Sequence, residues 1–182
     1  MRGQDDCRAR EQAEKALEHW ATDYNNSVLY SWCVRALGID YGDRRIGLAL
    51  SDATGLLARP WKTIARVGAP AGVAAVLAQE IAELKKEDDG LTAVVLGFPR
   101  RLTGEPTHQT AAVTDLARRL RASIDLPVVL QDERLSSHEA ESFLARREKN
   151  WRKRKAQLDA ASAAVILQDY LDDARIKKDQ DA

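Results

Sequence analysis

The sequence predicts an α/β domain, a mixed sheet covered by helices, behind an N-terminal stretch of different texture. Three observations carry this. Two strand-like segments with period-two alternation flank a Gly-Asp turn between Arg35 and Ser51. Helix-period segments then alternate with short apolar runs, as in helix–strand units. One such run, Ala93-Val94-Val95-Leu96, is apolar on both faces, as a central buried strand must be.

In chain order, Arg35 to Tyr41 reads as a strand with Leu37, Ile39 and Tyr41 on one face and Ala36, Gly38 and Asp40 on the other. Gly42-Asp43 reads as a two-residue hairpin turn in which glycine supplies a positive φ. Arg45 to Ser51 is the return strand. Leu56 to Arg66 is a third strand, edge-like because of Pro60. Pro70 to Glu87 has helical period through Val73, Leu77, Ile81 and Leu84, and Asp88-Asp89-Gly90 ends it. After the 93–96 strand and a loop rich in Pro, Arg and Gly, a helix is expected from His108 to Arg121. Pro127 to Asp132 is a short strand, Ser136 and Glu139 fit a capping box opening a helix toward Arg146, and Ala156 to Leu171 is the last helix.

The 182 residues suit one domain plus an appendage, and 45% hydrophobic content is enough for a core. Twenty-eight basic residues balance 28 acidic ones, which excludes a polycationic binder but not a local basic patch. No run approaches the ~20 apolar residues of a membrane span, the N-terminus lacks the apolar core of a secretory signal, and Cys7 and Cys33 are too few for a disulfide framework. A soluble, cytoplasmic protein with no membrane partner is expected. Residues 1–33 form an extension of unknown role, or precede a natural start at Val34, and residues 34–182 form the domain. Native peptides from upstream of Val34 would exclude the second alternative.

Three acidic positions resist explanation as ordinary surface charge. Asp40 ends a strand on the small-residue face of Ala36 and Gly38, where another backbone comes close. Asp132-Glu133 ends another strand. Asp159 lies on the apolar side of the last helix with Ser162, Ala163, Ile166 and Tyr170, amid Ala160, Ala161 and Ala164. A helix surfaced with Ala and Ser would fit the Ala36/Gly38 face and carry Asp159 toward Asp40. Gathered carboxylates repel one another and lose hydration, so they call for a cation. Hard oxygen donors without Cys or His suit Mg2+ or Mn2+, and such a cluster suits phosphodiester hydrolysis. Singly, each acid has a plainer reading. Asp40 would be a turn former, Asp132-Glu133-Arg134 a loop ion pair, and Asp159 a salt-bridge partner of Lys155, its i−4 neighbour.

Leu37–Asp52 (LGIDYGDRRIGLALSD), with Ala58-Arg59-Pro60-Trp61-Lys62-Thr63-Ile64 after it, resembles the opening of the YqgF/RuvX family of the RNase H-like superfamily. Val94-Val95-Leu96-Gly97-Phe98-Pro99 with Gly104, Asp132-Glu133-Arg134-Leu135-Ser136-Ser137 with Glu139-Ala140, and Leu158-Asp159-Ala160-Ala161 with Ile166-Leu167-Gln168 resemble its later motifs, in order from about Arg35 to Leu171. The resemblance implies an RNase H-like five-stranded mixed sheet with helices on both faces. It also implies a metal-dependent nuclease that resolves branched DNA at Holliday junctions or matures the 5′ end of the 16S rRNA precursor. Asp40, Asp132, Glu133 and Asp159 match the family's acidic positions. Asp40, Glu133 and Asp159 are the favoured metal ligands, although strand parity sets Asp132 and Glu133 on opposite faces and the sequence does not choose between them. The chain departs from the pattern in its extension, in Phe98 for the usual Leu, and in a loop 100–105 without the acid often found before the glycine.

Nucleic acid is the expected partner. Arg146, Arg147, Lys149, Arg152, Lys153, Arg154 and Lys155 stand against Glu148 alone, a net of +6, with Trp151 among them to stack on a base. Arg100 and Arg101 follow the central strand and project from the end of the sheet where ligands collect, and Arg134 belongs to the Asp-Glu-Arg motif. The plainer reading of the basic run is a solvated linker with Trp151 in the core. Junction resolution would require a homodimer. Two other readings compete with a nuclease: a noncatalytic nucleic-acid-binding ribosome-assembly factor, and an actin-like phosphotransferase, which needs a second such domain for which 149 residues leave no room.

Overall fold

The computed structural model describes residues 35–87, 90–99, 109–132 and 151–181. Five strands form one sheet: β1 (Ala36–Tyr41), β2 (Arg45–Ser51), β3 (Ala58–Ala65), β4 (Ala93–Phe98) and β5 (Val128–Asp132), in the order β3-β2-β1-β4-β5. β1 pairs antiparallel with β2 and parallel with β4. β2 pairs antiparallel with β3, and β4 pairs parallel with β5. Three helices complete the description: α1 (Pro70–Leu84), α2 (Thr110–Ser123) and α3 (Trp151–Asp181). The mixed five-stranded sheet with helices on both faces is the one the sequence implied.

The alternation along each strand sorts the sheet into two unlike faces. On one, Leu37, Ile39, Ile46, Leu48, Val94, Leu96, Phe98 and Leu130 meet Val73, Leu77 and Ile81 of α1 and Val113, Leu116 and Leu120 of α2, all buried. Each of these side chains removes about 1.5–3 kcal/mol worth of apolar surface from water. On the other, Ala36, Ala49, Ala93 and Val95 meet Ala163, Ala164, Ile166, Leu167 and Leu171 of α3. β4 is buried at all six positions because it lies between β1 and β5 with helices above and below.

The small residues set how closely α3 sits. A Cβ on Gly38 would lie 2.8 Å from the Ala163 carbonyl oxygen and 2.8 Å from Leu167 Cβ. A Cβ on Gly47 would lie 1.8 Å from the carbonyl oxygen of Asp159. No side chain fits between helix and sheet at that point.

Three expectations need correcting. The β1–β2 connection is three residues, Gly42-Asp43-Arg44, and glycines with positive φ occur at 55, 68 and 90 but not at 42. Gly42 is required for space, since a Cβ there would meet the Arg45 carbonyl oxygen at 2.8 Å. The last helix is 31 residues long: it runs ten residues past Leu171 to Asp181, and the Arg- and Lys-rich stretch before Ala156, made of good helix formers, is helical too; the basic residues from 152 to 155 are thus no linker. β3 starts at Ala58 rather than Leu56, and the turn before it is closed by Asp52, which accepts hydrogen bonds from Thr54 Oγ1 (2.8 Å) and from the backbone N–H of Leu56 (2.9 Å). Pro60 acts as expected: β3 is an edge strand, and the ladder to β2 shifts register opposite it, between Leu48 and Ala49. The helix expected from Ser136 toward Arg146, and residues 1–33, lie outside the described residues.

Candidate active site

Asp40 is the fifth residue of β1 and pairs across the ladder with Gly47 of β2. It points to the α3 face, as its alternation with Leu37, Ile39 and Tyr41 requires. Gly47 offers no side chain there, and the space beside Asp40 is filled by α3, whose Asp159 backbone rests on Gly47. The register of β1 on β2 and the close approach of helix to sheet thus bring together two carboxylates 119 positions apart in the chain.

The electrostatics record this proximity. Asp40 is pushed up from 3.8 to about 6, first by burial and then by the negative charge of Asp159. Both causes disfavour its ionised form. Asp159 has a counter-ion on the next strand: Arg45 Nε lies 2.8 Å from its Oδ2. The contact is an ion pair by distance alone, for Oδ2 is closed off from solvent and accepts no aligned hydrogen bond. Arg45 is on the α3 face of β2, two residues before Gly47. The sequence suggests Lys155, whose side chain lies outside the described ones, as the partner of Asp159; among the described side chains the structure places Arg45 there. Only the pairing of β2 beneath α3 brings residues 45 and 159 together, and the alternation of Arg45 with Gly47 and Ala49 is the one sequence signal that points to it.

Asp132 is placed elsewhere. It ends β5 opposite Phe98 of β4, on the side of Leu96 and Leu130 and thus away from Asp40 and Asp159. Gln131, on the α3 face, donates to Asp173 of that helix at 3.2 Å. Glu133, Arg134, Arg100, Arg101, Arg146, Arg147 and Lys149 lie outside the described residues. Trp151, Arg152, Lys153, Arg154 and Lys155 form the first turns of α3, and Asp159 follows Lys155 by one turn. Among the described residues, no group of three or more His, Cys, Asp and Glu side chains is placed to hold a metal ion. The site there consists of two hard carboxylates, one whose ionised form burial and its neighbour disfavour and one held by a cation.

Residues 34–173 match the family described as RuvX, Holliday junction resolvase. The chain belongs to the RuvX family. Among curated relatives, a protein of Syntrophus aciditrophicus (strain SB) named "Putative pre-16S rRNA nuclease" is 40% identical over 139 residues, covering 76% of this chain and 89% of the relative. One of the same name from Nocardioides sp. (strain ATCC BAA-499 / JS614) is 42% identical over 143 residues, covering 76% and 88%. Among solved structures, T. thermophilus RuvC in complex with a Holliday junction substrate superposes with a TM-score of 0.44 at 14% identity, over 73% of this chain and 91% of that one. The span of the RuvX match includes Asp40, Asp132, Glu133 and Asp159, and it ends eight residues before the C-terminus of α3.

Proposed function

We propose that this chain is a divalent-cation-dependent nuclease that hydrolyses phosphodiester bonds, with precursor 16S rRNA as its substrate. The observation that carries this is the meeting of Asp40 and Asp159 at Gly47, where burial and mutual repulsion raise Asp40 to about 6. Such a pair is stabilised by a cation bound to both. Membership of the RuvX family and relatives named for pre-16S rRNA nuclease activity support the reaction class.

Asp40 and Asp159 would hold the ion, and hard oxygen donors favour Mg2+ or Mn2+. Asp132 faces away from them, which leaves its neighbour Glu133 as the third ligand in this reading. Once bound, such ions ease the conversion of water to hydroxide and stabilise charge on the departing oxygen. The residues of this chain do the rest: β1 and α3 fix the two carboxylates on rigid elements, and Gly47, without a side chain, lets the Asp159 backbone rest directly on β2. The first turns of α3, with Trp151, Arg152, Lys153, Arg154 and Lys155, together with Arg100, Arg101, Arg134, Arg146, Arg147 and Lys149, would grip the phosphate backbone and position it without reading sequence. The reading implies a cytoplasmic protein, where the precursor is made. No helix among the described residues is long and apolar enough to cross a membrane.

The test is purified protein with Mg2+ or Mn2+, assayed side by side on a precursor 16S RNA fragment and a four-way DNA junction. Cleavage of the RNA is expected, with Asp40→Asn costing more than the ~10–100-fold typical of losing an outer-shell partner of a metal while nucleic-acid binding persists. Cleavage that survives Asp40→Asn or excess chelator would remove the metal mechanism. The family description favours a second reading, branched DNA as substrate with a homodimer cutting both strands. Junction cleavage by a dimer, with the RNA left intact, would select it. Binding of either substrate without turnover would leave a noncatalytic assembly factor.

A further inference from the structure

We propose that Arg45 is a built-in placeholder cation: its guanidinium occupies Asp159 Oδ2 and competes with a divalent ion for that oxygen. The inference rests on the metal-site reading above and adds a residue that sets how tightly the site takes its ion.

Asp159 Oδ2 is closed off from solvent and accepts no aligned hydrogen bond. An oxygen that has lost its hydration without gaining donors is costly unless a charge compensates it. Arg45 Nε, 2.8 Å away, provides that charge. Among the described side chains it is the cation the structure places against Asp159. Because no N–H is aimed along the contact, the guanidinium is held by Coulomb attraction and not by the paired hydrogen bonds that make Arg–carboxylate contacts durable. Its backbone is fixed by pairing with Ala65, yet its side chain is 38% exposed, so it returns to water easily when another cation takes the oxygen. Guanidinium stays charged at every working pH, so protonation does not relieve the competition.

Two effects of opposite sign follow. Without metal, Arg45 offsets the repulsion between Asp40 and Asp159 and helps keep α3 seated on Gly47. With metal, it opposes binding. A residue that merely positioned Asp159 would act in one direction in both states.

The experiment is a Mn2+ titration at pH 8 and low salt, followed by the electron paramagnetic resonance signal of free Mn2+, on the full chain and its variants, with melting temperatures measured in chelator and in saturating Mn2+. Arg45→Gln is expected to bind Mn2+ roughly two- to fivefold tighter, the range of a partly exposed ion pair, and to melt lower than the parent in chelator but not in saturating Mn2+. Arg45→Lys, which keeps the charge, should stay near the parent. Arg66→Gln controls for net charge, because Arg66 stacks on the Tyr41 ring on the opposite face of the sheet, and should shift affinity less than Arg45→Gln. Unchanged or weaker Mn2+ binding by Arg45→Gln overturns the inference alone. If the parent binds no Mn2+, or Asp159→Asn binds as well as the parent, the metal-site reading falls and the inference with it.

Discussion

At Gly47, a missing side chain decides where a distant one goes. Alanine there would bring its Cβ to 1.8 Å from the Asp159 carbonyl oxygen, so helix or strand would have to move. Overpacking of this kind costs about 1–3 kcal/mol, and here the displacement falls on the carboxylate pair. Gly47→Ala is therefore expected to lower stability by about that amount in denaturant unfolding and to reduce cleavage far more than its loss of folded protein explains; activity retained per folded molecule would refute the coupling. Asp40 makes a second prediction, and its sign follows from its raised pKa. The folded state binds the proton more tightly than the unfolded chain, so stability falls as pH rises from 3.8 through about 6. Above that window the ionised carboxylate costs on the order of 3 kcal/mol. In chelator, Asp40→Asn should exceed the parent by about that much at pH 8, with the gap narrowing toward pH 4.5. A gap independent of pH would mean that Asp40 is not held in the protonated-favouring setting described.

The elements are legible in the sequence to different depths. β1, β2 and β4 show themselves through strict alternation or through apolar character on both faces, and Pro60 marks β3 as an edge. The fit of the Ala-rich helix to the Ala36/Gly38 face is also readable, since small residues on two elements are a local signal of close approach. What stays hidden is anything fixed by long-range register. Arg45 meets Asp159 across 114 positions, and Asp132 is turned away by its pairing with Phe98. The start of α3 is obscured because a charged run reads as a linker when no apolar stripe marks its period. Its true length places the basic residues 152–155 on the same rigid rod as Asp159. Exchanging Arg152, Lys153, Arg154 and Lys155 for Gln should therefore weaken nucleic-acid binding for every sequence alike and flatten its salt dependence, by up to ~0.7–0.9 in log–log slope for each phosphate no longer neutralised. Salt-dependent binding by fluorescence anisotropy measures this, and an unchanged slope would place the phosphate-binding residues elsewhere.

At the scale of the whole molecule the two faces of the sheet are specialised. The face under α1 and α2 holds the large apolar side chains and most of the core. The α3 face is built from Ala, Gly and Val and holds the carboxylate pair. Net charge is zero over the chain, so attraction for a polyanion has to come from local concentration of base, as in the 146–155 segment. The bare seam between Gly47 and α3 has a further consequence. Ordinary interfaces carry a layer of side chains whose rotamers absorb small displacements, and this one has none. Packed interiors yield little under load, so a shift of the helix passes undiminished to Asp159, and the chemistry has no slack of its own apart from that of the fold.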